Sequence, residues 1–288
     1  MHQNEINPCK VTFSLVVYKQ PVEELRRVIR SLQLYPHAKI LYVVDNSPTD
    51  EARSLTELDP SVIYHFNNKN IGFGQAHNWA IREAMKRGSE YHFVVNPDIT
   101  FDEDVVTPMI DWLDTHPDVG QMMPRILFPD GRKQYLPKLM PSPLRLLQRR
   151  LRGLFPAKHT KWMQSFEMRS MRDDKVYDVG HVSGCFSVAR VSALRECGLY
   201  DDRFFMYFED TDLSRRMHAK YRTVYFPLVS VFHGYGNAAS KDPRIFFIFL
   251  SSLFKYFNKW GWLFDTDRKQ CNRAFLEQID LSAKEQNQ

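Results

Sequence analysis

Apolar and polar residues come in blocks along the first 120 or so positions, and the blocks define alternating elements. Val11 to Tyr18, apolar save Thr12 and Ser14, reads as a buried first strand. Pro21 opens a helix whose apolar positions, Val22, Leu25, Ile29 and Leu32, recur at helical spacing. Ile40 to Val44 is a second buried strand and ends at Asp45-Asn46-Ser47. Val62 to Phe66 is a third, followed by a polar turn from Asn67 to Gly74. Ala76, Trp79, Ala80 and Ala84 mark one side of the next helix. Tyr91 to Val95 is a fourth strand, closed by Asn96-Pro97-Asp98. Val105, Val106, Met109, Ile110 and Leu113 predict a further helix that stops before Pro117.

Strands alternating with helices imply a mostly parallel sheet with helices on both faces. Such sheets bind ligands beyond the carboxyl ends of their strands. The polar clusters at Asp45-Asn46, Asn70 to Gly74 and Asn96 to Asp98 all follow strand ends, so they predict one site at one rim. The second half is less regular. Val176 to Val191 reads as a strand with a tight Ser183-Gly184 turn. Phe204 to Leu213 leads into a helix with Arg215 and Arg216. Val224 to Phe226 and Val229 to Phe232 read as short strands either side of Pro227, ending at His233. The tail from Ile245 to Phe264 is aromatic and apolar.

Charge sharpens this picture. The net charge is +5, but Arg132 to Arg172 holds 11 Lys/Arg against the one acid Glu167, leaving the rest mildly acidic. A basic stretch of this kind suits an anionic membrane, a diphosphate or a nucleic acid. No recognised nucleic-acid module accompanies it, so nucleic acid is not the expected partner. Leu144, Leu147, Leu151 and Leu154 interleave with Arg145, Arg149, Arg150 and Arg152 as a basic amphipathic segment. Cys9, Cys185, Cys197 and Cys271 are widely spaced, and no hydrophobic signal segment opens the chain. A cytoplasmic protein is expected. The apolar run Ile245 to Leu250 is too short to span a bilayer.

Six pieces then stand in a familiar order. They are Val16-Val17-Tyr18, Val44 to Ser47, Asn70 to Gly74 with Asn78, Asn96 to Ile99, Ser183-Gly184, and Phe204 to Leu213 followed by Arg215-Arg216. His233 after the last strand also matches. In these pieces, over roughly residues 11–240, the chain resembles glycosyltransferase family 2, and within it the rhamnosyltransferase-like enzymes of bacterial O-antigen and polysaccharide assembly. The resemblance implies a GT-A fold over residues 1–240, with the basic insertion at about 132–172 and a C-terminal helical extension over 241–288. It implies an inverting transferase that moves one sugar from a dTDP- or UDP-sugar, dTDP-L-rhamnose first. The acceptor would be a polyprenyl-diphosphate-linked glycan at the inner face of the inner membrane. The QxxRW motif of processive members is missing from the sequence, so single-sugar addition is expected.

Roles follow residue by residue. Asp98 matches the last carboxylate of the family's DxD motif, with Asn96 in the place of the first; a Mg²⁺ or Mn²⁺ ion takes such oxygen ligands. His233 is expected to join Asp98 at the metal or the diphosphate. Asp45 and Asn46 are expected against the nucleoside, with Tyr18 stacking on the base; helix capping is the plain alternative for Asp-Asn-Ser. Gly72 and Gly74 would let backbone approach the nucleotide, and Asn78 and Gly184 belong to the same donor site. Asp210 is expected to take the acceptor's proton, with Glu209 beside it to position the acceptor or share the role. Two adjoining carboxyls raise the pKa of at least one. Asp212 reads as a solvated acid favouring a helix start. The tail is left with three readings: packing on the domain, a second subunit in a homodimer, or a membrane. A nucleotidyltransferase is the rival enzyme, though Tyr18-Lys19-Gln20-Pro21 stands where that class needs a glycine-rich basic loop.

Overall fold

The computed structural model describes residues 9–150, 163–234 and 243–285. Strands β1 (Val11–Val17), β2 (Lys39–Asp45), β3 (Val62–Phe66) and β4 (Tyr91–Val95) are those the apolar runs predict. They lie parallel in the order β3-β2-β1-β4. Helices α1 (Val22–Leu32), α2 (Phe73–Lys86) and α3 (Val106–Asp114) connect or flank them. α1 buries Leu25, Val28, Ile29 and Leu32, the stripe its spacing foretold.

Beyond β4 the sheet continues through β8 (Phe186–Arg190), β6 (Val119–Leu127), β9 (Arg222–His233) and β5 (Ile99–Thr100), with β7 (Tyr177–Asp178) also on β9. β8 runs antiparallel to both neighbours, so the sheet is mixed. Three expectations change here. The strand expected over Val176 to Val191 is two strands with different partners, β7 on β9 and β8 between β4 and β6. The residues around Pro227 form one strand, because β9 bulges: Phe226 pairs with Pro124 and Ser230 with Arg125, leaving Pro227 to Val229 outside the ladder. β6 was not foreseen, since Gly120, Gln121 and Pro124 interrupt its apolar pattern.

The reversal at β8 places the site. β6 and β9 run parallel to each other and antiparallel to β8, hence in the direction of β4. The carboxyl ends of β1, β2, β3, β4, β6 and β9 therefore share one rim. The start of β8 joins them there, with Val95 opposite Phe186.

Helices α4 (Pro143–Arg150), α5 (Val191–Cys197), α6 (Glu209–His218), α7 (Pro243–Trp260) and α8 (Thr266–Glu285) complete the fold. Both C-terminal helices pack on the sheet domain. Phe275 and Ile279 of α8 enter the main core, and the Asn272 side chain bonds both N and O of Met140 (2.8 and 3.0 Å). The inner face of α7 sets Tyr256 and Phe257 against Phe204 and Phe208.

Asp212 is not solvated. It is fully buried and accepts from Arg216 Nε (2.8 Å), Lys259 Nζ (2.6 Å) and Trp260 Nε1 (2.8 Å). Arg215 forks onto Asp265 (2.6 and 2.8 Å) with its guanidinium over the Trp260 ring. Buried charges persist only when paired in this way, and they fasten α6 to the tail. The outer side of α7 leaves Phe247 and Phe254 exposed. Among the described residues no helix is long and apolar enough to cross a membrane.

Candidate active site

The rim gathers Asn96, Asp98, His233, Gly184 and Asp210. Asn96 N donates to Cys185 O (2.8 Å), and Gly184 N donates to Asp210 Oδ2 (3.3 Å). The Gly184-Cys185 step thus carries the Asn96–Asp98 turn on one side and Asp210 on the other. On the far side of that turn, His233 Nε2 lies 3.3 Å from Asp98 Oδ1 and 3.4 Å from Asn96 Nδ2. Gly234 N donates to Asp98 O (3.0 Å). The Asn96–Asp98 strand end and Asp210 are thus held by the same two-residue step.

The acidic pair sits on a strained turn. Tyr207 (φ 72°) and Phe208 (φ 67°) are both left-handed, a conformation that costs non-glycine residues about 1 kcal/mol or more each. α7 holds it: the Phe208 ring packs on Phe249, Tyr256 and Phe257, and Ser252 Oγ donates to Met206 O (2.8 Å). Asp210 then opens α6 partly exposed to solvent, with Oδ1 accepting from Thr211 N (2.7 Å).

Glu209 is buried instead, and its Oε2 has no hydrogen-bond partner among the described residues. Burial first, and the adjoining Asp210 charge second, push its carboxyl well above the ordinary carboxylate range. Burial therefore favours the neutral form of Glu209, while Asp210 is the member of the pair that reaches solvent at the rim.

His181 was missed by the sequence reading. Its Nε2 lies 3.8 Å from Asp210 Oδ2, and its Nδ1 meets Thr211 Oγ1 at 3.2 Å. The rim loop between β7 and β8 brings it there, a placement no local pattern encodes. Gln134 was also missed. It follows the Phe128–Gly131 turn after β6 and reaches His233.

Several expected donor ligands turn out to frame the rim. Asp45 is fully buried; Oδ1 accepts from Ser47 N (2.8 Å) and Oδ2 from Tyr64 Oη (2.7 Å). Asn46 is buried between Gly72 O (3.2 Å) and Asn67 Nδ2 (2.8 Å). Neither faces solvent in this arrangement, and neither caps a helix with its side chain. Asn78 is spent on the 200–202 loop, bonding Tyr200 N and O and Asp202 Oδ1 (2.8–2.9 Å). The close approaches at Gly72 and Gly74 are made by protein: a Cβ would lie 2.5 Å from Phe205 O at Gly72 and 2.8 Å from Tyr200 Cβ at Gly74. Gly184 is likewise pressed by the Phe73 ring (3.1 Å) and serves Asp210. Tyr18 is the exposed member of the set, 42% accessible just past the end of β1.

The donor chemistry suits a hard divalent cation. One carboxylate (Asp98) and one imidazole (His233) fit an ion that completes its shell with diphosphate oxygens and water. A closed protein cage is not formed: no group of three or more His, Cys, Asp or Glu among the described residues is placed to hold a metal.

A mixed sheet flanked by helices, with Asp98 and Asp210 at its carboxyl rim, has the GT-A architecture of glycosyltransferases. The chain belongs to glycosyl transferase family 2, whose sequence profile matches residues 14–198. It is a glycosyltransferase, and the nucleotidyltransferase alternative falls. It is similar to the N-acetylglucosaminyl-diphospho-decaprenol L-rhamnosyltransferase of Mycobacterium tuberculosis, at 27% identity over 240 residues, 80% of this chain and 78% of that protein. The O-antigen biosynthesis protein RfbC of Myxococcus xanthus is 25% identical over 231 residues, 72% of this chain but 16% of that protein. Among solved structures, S. aureus TarS 1–349 superposes with a TM-score of 0.59 at 13% identity, over 93% of this chain and 71% of that one. GalNAc-T7 with UDP, GalNAc and Mn²⁺ gives 0.58 at 13% identity, over 81% and 45%. At such identities these structures establish the fold.

Proposed function

We propose that this chain is an inverting, single-sugar transferase that moves L-rhamnose from dTDP-L-rhamnose onto a polyprenyl-diphosphate-linked glycan. The observation that carries this is the convergence of the Asp98–His233 pair and Asp210 on either side of Gly184-Cys185. A leaving diphosphate gathers negative charge as the sugar bond breaks, and one partly exposed carboxylate stands across from the pair. Asp210 accepts the proton of the acceptor hydroxyl while that oxygen bonds the anomeric carbon and the bond to diphosphate breaks. One base and one displacement invert the centre. Asp98 and His233 would hold a Mg²⁺ or Mn²⁺ ion that neutralises the departing diphosphate. Exposed Tyr18 offers a ring for the base.

The choice of rhamnose and of a lipid-linked acceptor draws on the Mycobacterium tuberculosis relative, whose name states both. A UDP-sugar is the second donor reading. A lipid-linked acceptor implies work at an anionic inner-membrane face, which suits the exposed Phe247, Phe254, Leu263 and Phe264 of the tail and the exposed Leu144 and Leu147 of α4.

The test is a donor panel: the purified chain with Mn²⁺, a polyprenyl-diphosphate glycan, and dTDP-rhamnose or various UDP-sugars. Rhamnose transfer with inversion is expected. Transfer from UDP-sugars alone would replace the donor assignment, and retention at the anomeric carbon would overturn the mechanism.

A further inference from the structure

The buried Gln134 grips His233 at two points. Its Nε2 donates to His233 O (2.8 Å) and to Leu127 O (3.2 Å), and its Oε1 lies 3.1 Å from His233 Nδ1. The amide cannot be turned round, because that would set Oε1 against two carbonyl oxygens. With Oε1 fixed as an acceptor, Nδ1 must carry the proton. The neutral ring then has its lone pair on Nε2, the nitrogen that faces Asp98 Oδ1 at 3.3 Å and Asn96 Nδ2 at 3.4 Å. In this tautomer Nε2 and Asp98 Oδ1 stand side by side as donor atoms that a divalent cation would meet together.

We infer that Gln134 is a positioning residue for the divalent-cation site: it selects the Nδ1–H tautomer of His233 and fixes its ring so that Nε2 and Asp98 present a matched pair of donor atoms. This rests on the cation reading above and assigns a role that neither the motif order nor the acidic pair contains. Gln134 holds the His233 carbonyl as well as its ring, so backbone and side chain at the end of β9 are registered together. The clamp comes from the loop after β6 and so fixes His233 independently of Asp98.

The experiment measures Mn²⁺ binding directly, by the electron paramagnetic resonance signal of free Mn²⁺, with dTDP or UDP present and no acceptor. Gln134→Leu keeps the volume but cannot accept from Nδ1; its Mn²⁺ affinity is expected to fall about 10- to 100-fold. Gln134→Met matches the length and volume of glutamine but cannot accept from Nδ1 either, and is expected to fall as far as Gln134→Leu, which a merely space-filling role would not require. His233→Ala should lose as much as Gln134→Leu, and the double variant little more than either. Equal Mn²⁺ affinity in wild type and folded Gln134→Leu overturns the inference while leaving the cation site standing. So does a Gln134→Met variant, folded by circular dichroism, that binds Mn²⁺ as tightly as wild type. Absence of Mn²⁺ binding by the wild type with either nucleotide removes the cation reading itself, and the inference with it.

Discussion

Glu209 and Asp210 are neighbours in the chain with unlike surroundings, and the difference divides their work. Asp210 faces the rim with backbone N–H groups on both oxygens, whereas Glu209 points inward with an unpartnered oxygen. Asp210→Asn is expected to reduce transfer by 10²-fold or more while nucleotide binding persists, as loss of a general base does. Initial rates and nucleotide titration check both halves. Glu209→Gln mimics the protonated acid and is expected to keep transfer within a few-fold. Its second readout is stability. A carboxyl whose folded pKa is raised stabilises fully below its unfolded value, near 4.5, and that contribution is lost as pH rises toward the folded value. Glu209→Gln should therefore gain stability relative to wild type as pH rises above about 5 in urea unfolding. A variant that loses activity as Asp210→Asn does would shift the base to Glu209.

At the scale of elements, a chain of buried polar groups ties β1, β4 and α2. Thr12 Oγ1 meets His92 Nδ1 (2.9 Å), Ser14 Oγ meets His92 Nε2 (2.8 Å), and the same hydroxyl meets His77 Nδ1 (2.7 Å). Burial lowers the His92 pKa to about 3 and that of His77 well below its ordinary value. Both are neutral in the fold and titrate near 6.5 when unfolded. The unfolded chain binds the extra protons, so each histidine withdraws stability as pH falls from about 6.5 toward its folded pKa, by at most about 1.4 kcal/mol per unit. His92→Gln is expected to lose one proton's worth of that slope between pH 6.5 and pH 5 in urea titrations. An unchanged slope would falsify the assignment.

The same scale shows what the sequence could reveal. β1 to β4 are near-continuous apolar runs because both faces of those strands are covered, and such runs announce themselves. β6 carries Gly120, Gln121 and Pro124 within its span, and β9 carries Pro227, so local pattern hid one strand and split the other. The place of Asp98 and Asp210 at the rim was legible because motif order marks them. His181 and Gln134 were not, because loops whose positions follow from the antiparallel β8 deliver them across long sequence separations. Asp45, Asn46 and Asn78 carried the right location but not the right exposure, since a sequence shows which loop a side chain occupies and not whether neighbours already hold it.

For the molecule as a whole, the basic stretch is less bare than its count suggests. Arg132 pairs with Asp130, Lys133 with Asp173, Arg169 with Glu167 and Arg172 with Asp174, acids that lie within or beside it. Exposed Phe247 and Phe254 of α7 offer the proposed membrane attachment an apolar contact besides charge. Phe247→Ser with Phe254→Ser is expected to release the chain from vesicles of anionic phospholipid in a sedimentation assay and to leave the unfolding midpoint near wild type, since both rings are exposed. Sedimentation equal to wild type would refute this face as the attachment.

α7 has one side against the left-handed turn at Tyr207-Phe208 and the other open to the surroundings. The rod between them is about 10 Å thick. A partner that gripped its outer rings would load the same helix whose inner rings brace the turn ahead of Asp210, so docking at that face and the aim of this carboxylate would share one support.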